Sequence, residues 1–209
     1  VSLPVAVLLG LLSAIAGAWA GYYASSLVAL LLLTYAVMNI AYSLGLKRVV
    51  ILDVFIIAAG FMLRLLAGTS GVGIPPSQWL LLCGLMLTLF LGFVKRRAEL
   101  GTDSDVDRIP QRKVLHYYSP ALLDSLITVT ATCIILSYSL YTLSPETIAL
   151  HHTPWLMLTV PFVIFGVFRY LFLLHYHQQG EDAASEALRD PQLAITVVLW
   201  AGTTLWLLA

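Results

Sequence analysis

The chain has 209 residues, of which 60% are apolar and only 11% charged, with a mean hydropathy of +0.91. Soluble domains carry nearer a quarter charged residues, and this chain instead repeats apolar runs of about twenty residues, each able to cross roughly 30 Å of hydrocarbon. Eleven Lys and Arg balance eleven Asp and Glu, so the net charge gives no pull towards nucleic acid, and the distribution of charge has to carry the argument.

Seven spans are expected, at 3–20, 25–45, 49–68, 77–95, 120–143, 154–175 and 191–208. Each is read as a helix, because an open sheet cannot satisfy its backbone in lipid and the strand alternation of a barrel is missing. The fold class is therefore all-α, a polytopic membrane bundle forming a single domain over 1–209. The sequence opens on Val1 with no basic n-region or small-residue cleavage site, so no signal peptide is read there. The expectation is that it begins partway through a longer protein. Cys83 and Cys133 fall inside apolar runs and read as small packing residues.

Between the spans, Lys47, Arg48, Lys95, Arg96, Arg97, Arg108, Arg112, Lys113 and Arg189 all lie in alternate loops. The intervening loops at 21–24, 69–76 and 144–153 hold no Lys or Arg. The positive-inside rule then makes the charged face cytoplasmic in a multi-pass plasma-membrane protein. The loop over 95–119 is longer than a topology anchor requires and reads as partly helical, a cytoplasmic cap over a site.

Two residues of the third span carry charge. Asp53 and Arg64 are eleven apart, so they share a helix face roughly 16 Å apart along the axis. Both should face a bundle interior or a wet cavity, or be neutralised by neighbouring helices. On the second span Asn39 and Tyr42 share a face, and Tyr42 also fits an interfacial aromatic belt. Lys95 and Glu99 have the i, i+4 spacing of a solvated helix pair, and Lys95 with Arg96 is equally the counter-charge a phosphate would take. Asp103-Ser104-Asp105-Val106-Asp107 starts like a calcium loop but has Arg108 at position six and Val114 at position twelve, where Gly and Glu belong. His175 and His177 diverge on a helix and make a poor metal pair.

Taken together, AYSLGLKRVVILDVFIIAAGFMLRLLAG, FLGFVKRRAEL, RKVLHYYSPALLD and FRYLFLL…GEDAASEALRDPQL resemble the UbiA superfamily of intramembrane transferases. Within it they are most similar to the decaprenyl-phosphate phosphoribosyltransferases. The resemblance implies a nine-helix fold, of which the seven spans match helices three to nine. It also implies a magnesium-binding NDxxD motif on an N-terminal helix pair, which this chain lacks. A truncated sequence and a degenerate paralogue both account for that. Asp103 and Asp107 have the spacing of the superfamily's second acidic motif and would be its metal ligands here. The Tyr-x-x-x-Lys signature is shifted by one, with four residues between Tyr42 and Lys47.

The implied reaction moves a 5-phosphoribosyl group from phosphoribosyl pyrophosphate to a polyprenyl phosphate, with Mg2+, in the making of cell-envelope polysaccharide precursors. Asp53 and Glu99 would orient the reacting groups. Tyr42, Lys47, Arg64, Lys95, Arg96, Arg112 and Tyr118 would bind substrate. The implied partners are the two substrates and the bilayer, with no nucleic acid, and a homo-oligomer is compatible with them. Two alternatives stay open: a prenyltransferase taking an isoprenoid from its diphosphate, and a membrane protein without catalysis.

Overall fold

The protein is described by a computed structural model over residues 25–73, 76–101, 113–176 and 190–208, with Val5, Gly17, Trp19, Gly21 and Tyr23 as isolated positions. Among these residues there are helices and turns and no strand. Six helical stretches are long and apolar enough to cross a membrane: Ser26–Leu44, Leu52–Val72, Gln78–Leu100, Pro120–Leu143, Trp155–His175 and Pro191–Leu208. They match six of the seven expected spans; the first, 3–20, lies outside the described residues apart from isolated positions. The chain divides into two compact units, Val1–Pro76 and Ser77–Ala209.

The first unit is a helical hairpin of α1 (Ser26–Leu44) and α2 (Leu52–Val72). Ser25 caps α1 by accepting the Val28 N–H at 3.1 Å, which satisfies one of the orphan donors of the first turn. The two helices approach closely at Gly60, where an added Cβ would lie 3.1 Å from Met38 Cε and 3.3 Å from the Tyr35 ring. Their link contains a short 3₁₀ turn, Leu46–Arg48. It ends in an unusual joint: Ile51 has φ 69° and ψ −46°, and Leu52 N–H bonds to the Val50 carbonyl at 2.8 Å. That is a γ-turn of the positive-φ form, rare and strained for a β-branched residue.

The second unit is built on α3 (Gln78–Gly101) and α4 (Pro120–Leu143), followed by the short α5 (Pro145–His151), α6 (Val160–Tyr176) and α7 (Pro191–Leu208). Pro120 at the first position and Ser119 as the cap start α4 in the way helix termini favour. Its inward stripe is Leu123, Ile127, Ala131 and Ile134, all buried, at the spacing of one helix face. Leu89, Phe90, Phe93 and Val94 of α3 are buried as well. The 3₁₀ turn Lys113–Tyr117 tucks Val114 and Leu115 in, leading to buried Tyr118. The opposite end, expected as a short loop over 144–153, holds α5 and a second 3₁₀ turn, Trp155–Thr159.

Most polar side chains on the apolar helices bond back to their own backbone. Thr34 reaches Leu30 O, Asn39 reaches Tyr35 O, Thr132 reaches Thr128 O and Thr204 reaches Trp200 O, all at 2.8–2.9 Å. This is how a hydroxyl or amide is tolerated where no water competes. Asn39 is thereby accounted for as an exposed span residue satisfied by its own helix.

Candidate functional site

α3 does not stop where the apolar run stops. It continues to Gly101, so Lys95–Leu100, expected within a loop starting at 95, extend the helix by almost two turns. Three consecutive cations then point about 100° apart from one another. Lys95 is exposed and forms no ion pair among the described residues. Arg96 is only 1% exposed, and its Nη1 donates to Glu99 Oε2 at 2.6 Å. Arg97 turns to the next helix, its Nε donating to Asp124 Oδ1 at 2.9 Å.

The expected Lys95–Glu99 pair is thus replaced by Arg96–Glu99, and the reason is geometric. The buried stripe Leu89, Phe93 continues at i+3 onto position 96, so Arg96 rather than Lys95 points inward, and Glu99 lies one turn further along the same stripe. A buried guanidinium needs its carboxylate. The consequence is an almost neutral, internally held pair beside an exposed lysine that has no carboxylate among the described residues. Cations near a helix C-terminus also offset its dipole, which is the plainer role available to Lys95. Tyr118 is buried, 5% exposed, while Arg112, Asp103 and Asp107 lie outside the described residues.

In the first unit Lys47 and Arg48 are exposed on the 3₁₀ turn. Asp53 follows the γ-turn by two residues and is fully buried in the first turn of α2, its own N–H bonded to Val49 O at 3.1 Å. A carboxylate is stabilised there by the helix N-terminus. Tyr42 is half-buried on the last turn of α1. Arg64, expected to share Asp53's surroundings, does not. It is exposed, with its guanidinium carbon 5.5 Å from the Tyr35 ring centre and 5.8 Å from that of Phe61, both within cation–π range.

Two arrangements escaped the sequence reading. Arg169 grips Asp190 with two bonds, Nε to Oδ1 at 3.2 Å and Nη2 to Oδ2 at 2.7 Å, and Asp190 also accepts the Leu193 N–H at 2.8 Å as the cap of α7. The Arg169 guanidinium first, and then the Leu193 N–H, hold the Asp190 carboxyl below the usual carboxylate range. The signal for both inter-helix pairs is an aspartate at the start of a Pro-started helix, just inside it in Ser119-Pro120…Asp124 and capping it in Asp190-Pro191, preceded by an arginine late in another helix. The second arrangement is a polar chain at the far end of the unit. Trp200 Nε1 donates to Tyr138 Oη at 2.8 Å, Tyr138 Oη lies 2.7 Å from Thr159 Oγ1, and Thr159 donates to Leu156 O at 2.6 Å. With Trp200 able only to donate and Thr159 spending its proton on the carbonyl, Tyr138 must donate to Thr159.

Among the described residues no three His, Cys, Asp or Glu side chains come together as a metal site. His175 Nδ1 is 2.8 Å from the Leu171 carbonyl, a bond it makes as donor.

Residues 1–190 match the UbiA prenyltransferase family. Curated relatives include proteins named decaprenyl-phosphate phosphoribosyltransferase. The one from Mycolicibacterium smegmatis is 32% identical over 94% of this chain and 63% of its own length. That from Mycobacterium tuberculosis is 30% identical over 95% and 63%, and that from Corynebacterium glutamicum 31% identical over 79% and 49%. The chain therefore spans less than two thirds of the length of these relatives. With apolar helices along its described length and a profile match over nine tenths of its residues, the chain belongs to the UbiA prenyltransferase family.

Proposed function

We propose that the protein is a membrane-embedded transferase that moves a 5-phosphoribosyl group from phosphoribosyl pyrophosphate to a polyprenyl phosphate. The relatives' names support this donor and acceptor. The observation that carries the reading is the α3 turn, where exposed Lys95 sits beside a buried, carboxylate-held Arg96. In the reaction a phosphate oxygen of the acceptor bonds to ribose C1 as the C1–O bond to pyrophosphate breaks, and the electron pair leaves with pyrophosphate. Nothing is oxidised. Lys95 meets the negative charge growing on the departing pyrophosphate, and Glu99 fixes Arg96 so that the turn is organised beforehand. Arg112 and Tyr118 belong to the same proposal in the second unit. In the first unit Lys47 and Tyr42 offer a separate phosphate contact, and Asp53 a hydroxyl acceptor.

A divalent ion, Mg2+ in this proposal, would offset charge on the diphosphate. The described residues do not by themselves furnish its ligands. The cytoplasmic placement of the charged face in the plasma membrane and a role in cell-envelope precursor synthesis follow from the same reading.

The test is donor choice. Membranes containing the chain are given labelled phosphoribosyl pyrophosphate with polyprenyl phosphate, or labelled prenyl diphosphate with an acceptor. Label from the first donor should enter the lipid phase, and Lys95→Ala should cut donor binding at least tenfold with membrane insertion unchanged. Transfer from the prenyl diphosphate alone would establish the prenyltransferase alternative. Transfer from neither would leave a protein without this catalysis, and wild-type donor affinity in Lys95→Ala would leave Lys95 as a helix-end charge only.

A further inference from the structure

The cationic turn of α3 lies past the apolar run, where a helix end left to itself frays. Its Arg96–Glu99 pair joins residues three apart on one helix, so that pair stiffens the turn without fixing where the turn sits. Arg97 adds the fix. Its Nε–H reaches Asp124 Oδ1 at 2.9 Å, and Asp124 belongs to a different helix, 27 residues on.

Asp124 is itself firmly held. It follows Leu123 on α4, and both Leu123 and Ile127, one turn later, are fully buried. Ser119 caps the same helix by accepting the Leu122 N–H at 3.2 Å. On the α3 side, Phe93 and Val94 precede the turn and are buried as well. All of these residues belong to the unit Ser77–Ala209, so the strut from Asp124 to Arg97 runs inside one compact body.

The angle matters as much as the anchor. Lys95 and Arg97 are two residues apart, so they leave the helix about 160° from one another. With Arg97 turned to α4, Lys95 is directed away from it, and Lys95 is exposed. The pairing also occupies the Asp124 carboxylate. Left alone, that carboxylate would draw Lys95 towards α4 or repel an anion arriving beside it. Held by Arg97, it does neither. The pair is partly open to solvent, at 25% and 35% on its side chains, so it adds little to stability. Its effect is on placement.

We infer that Arg97 and Asp124 are positioning residues, which together hold the end of α3 against α4 so that Lys95 is presented to the donor's pyrophosphate. This rests on the phosphoribosyl-transfer reading, and it gives neither residue a contact with substrate.

The test is initial-rate kinetics on membranes containing the full-length protein, with Asp124→Asn and Asp124→Glu, alone and combined with Lys95→Ala. Asp124→Asn should lower kcat/KM for phosphoribosyl pyrophosphate about fivefold, with KM for polyprenyl phosphate unchanged. Asp124→Glu keeps the charge and should stay within about twofold of wild type. In the Lys95→Ala background, Asp124→Asn should change kcat/KM by less than about twofold, since the lysine it places is gone. Arg97→Gln breaks the pair from the other side and should reproduce the loss, which keeps the test open if Asp124→Asn fails to insert. A loss that persists undiminished without Lys95 would show a merely structural tie and overturn the inference. So would an unchanged kcat/KM in Asp124→Asn or, where that variant is not inserted, in Arg97→Gln. In both cases, transfer by the wild type leaves the donor reading standing. A wild type that transfers nothing from this donor would remove that reading, and the inference with it.

Discussion

The cationic turn of α3 and the lone cation of α2 solve the same electrostatic problem in opposite ways. On α3 the charges come at the end of an apolar helix, where carboxylates are at hand. Arg96 is buried against Glu99, and Arg97 is tied to Asp124. On α2 the charge comes mid-span, and rings of Tyr35 and Phe61 take the place of an anion. What decides between burial and exposure is the partner and not the cation: a guanidinium enters the interior where an acid follows it on the same helix stripe.

The sharpest way to break this comparison is to remove the acid. Glu99→Ala takes away the carboxylate that Arg96 Nη1 bonds, and it should cost about 2 kcal/mol in denaturation of the detergent-solubilised protein, below the full penalty for a buried pair because Glu99 is 28% exposed on its side chain. Arg96→Met should cost less, since Glu99 can turn to water. Equal losses would show that packing, and not the lost charge pairing, sets the stability.

The next largest effect concerns a polar contact far from any ion. Tyr138→Phe leaves Trp200 Nε1 without its acceptor and should cost about 1 to 2 kcal/mol. The double variant with Trp200→Phe should recover part of that, because donor and acceptor then leave together. A double-mutant cycle with no coupling would mean the chain from Trp200 to Thr159 contributes only its apolar contacts.

The Arg169–Asp190 pair supplies a pH test of the inter-helix ion pairs. Because the folded-state carboxyl titrates below its ordinary value, its stabilisation is fully present above pH of about 4 and fades as pH falls through the depressed value. Melting temperatures of wild type and Asp190→Asn, measured from pH 7 down to pH 3, should converge towards the acid end. Parallel curves would sink the assignment.

The smallest effect is expected at Ile51. Ile51→Gly removes the side-chain clash of the positive-φ turn but loosens the unfolded chain. It should therefore leave stability within about 1 kcal/mol of wild type, on the favourable side. A loss several times larger would show that the Ile51 side chain, and not the turn, holds the link together.

How much of this was legible follows from the range over which each feature is determined. Apolar runs of about twenty residues and their Gly, Ser and Pro breaks are local, so the described helices match the expected spans to within a few residues at most ends. Spacing alone pairs Lys95 with Glu99, because i, i+4 is as local as i, i+3. Only the stripe Leu89–Phe93–Arg96, read as a continuous inward face, distinguishes them. Asp124 and Asp190 escaped because their partners are 27 and 21 residues away, beyond any periodicity. Arg64 was expected to share Asp53's setting since eleven residues return to the same face. The actual split reflects depth along the helix, which angle alone does not encode.

The γ-turn at Ile51 makes the link between α1 and α2 intolerant of length change. Residue for residue it sets the rotational phase with which α2 begins. A single alanine inserted just after the turn, between Leu52 and Asp53, would advance the following residues by about 100° around α2, swinging the Asp53 carboxylate out of its enclosed setting and carrying every later residue of the helix around with it. Insertions of similar size after Val72, where the helix has ended, would carry no such penalty for Asp53, so tolerance to added length should differ sharply between the two ends of one helix.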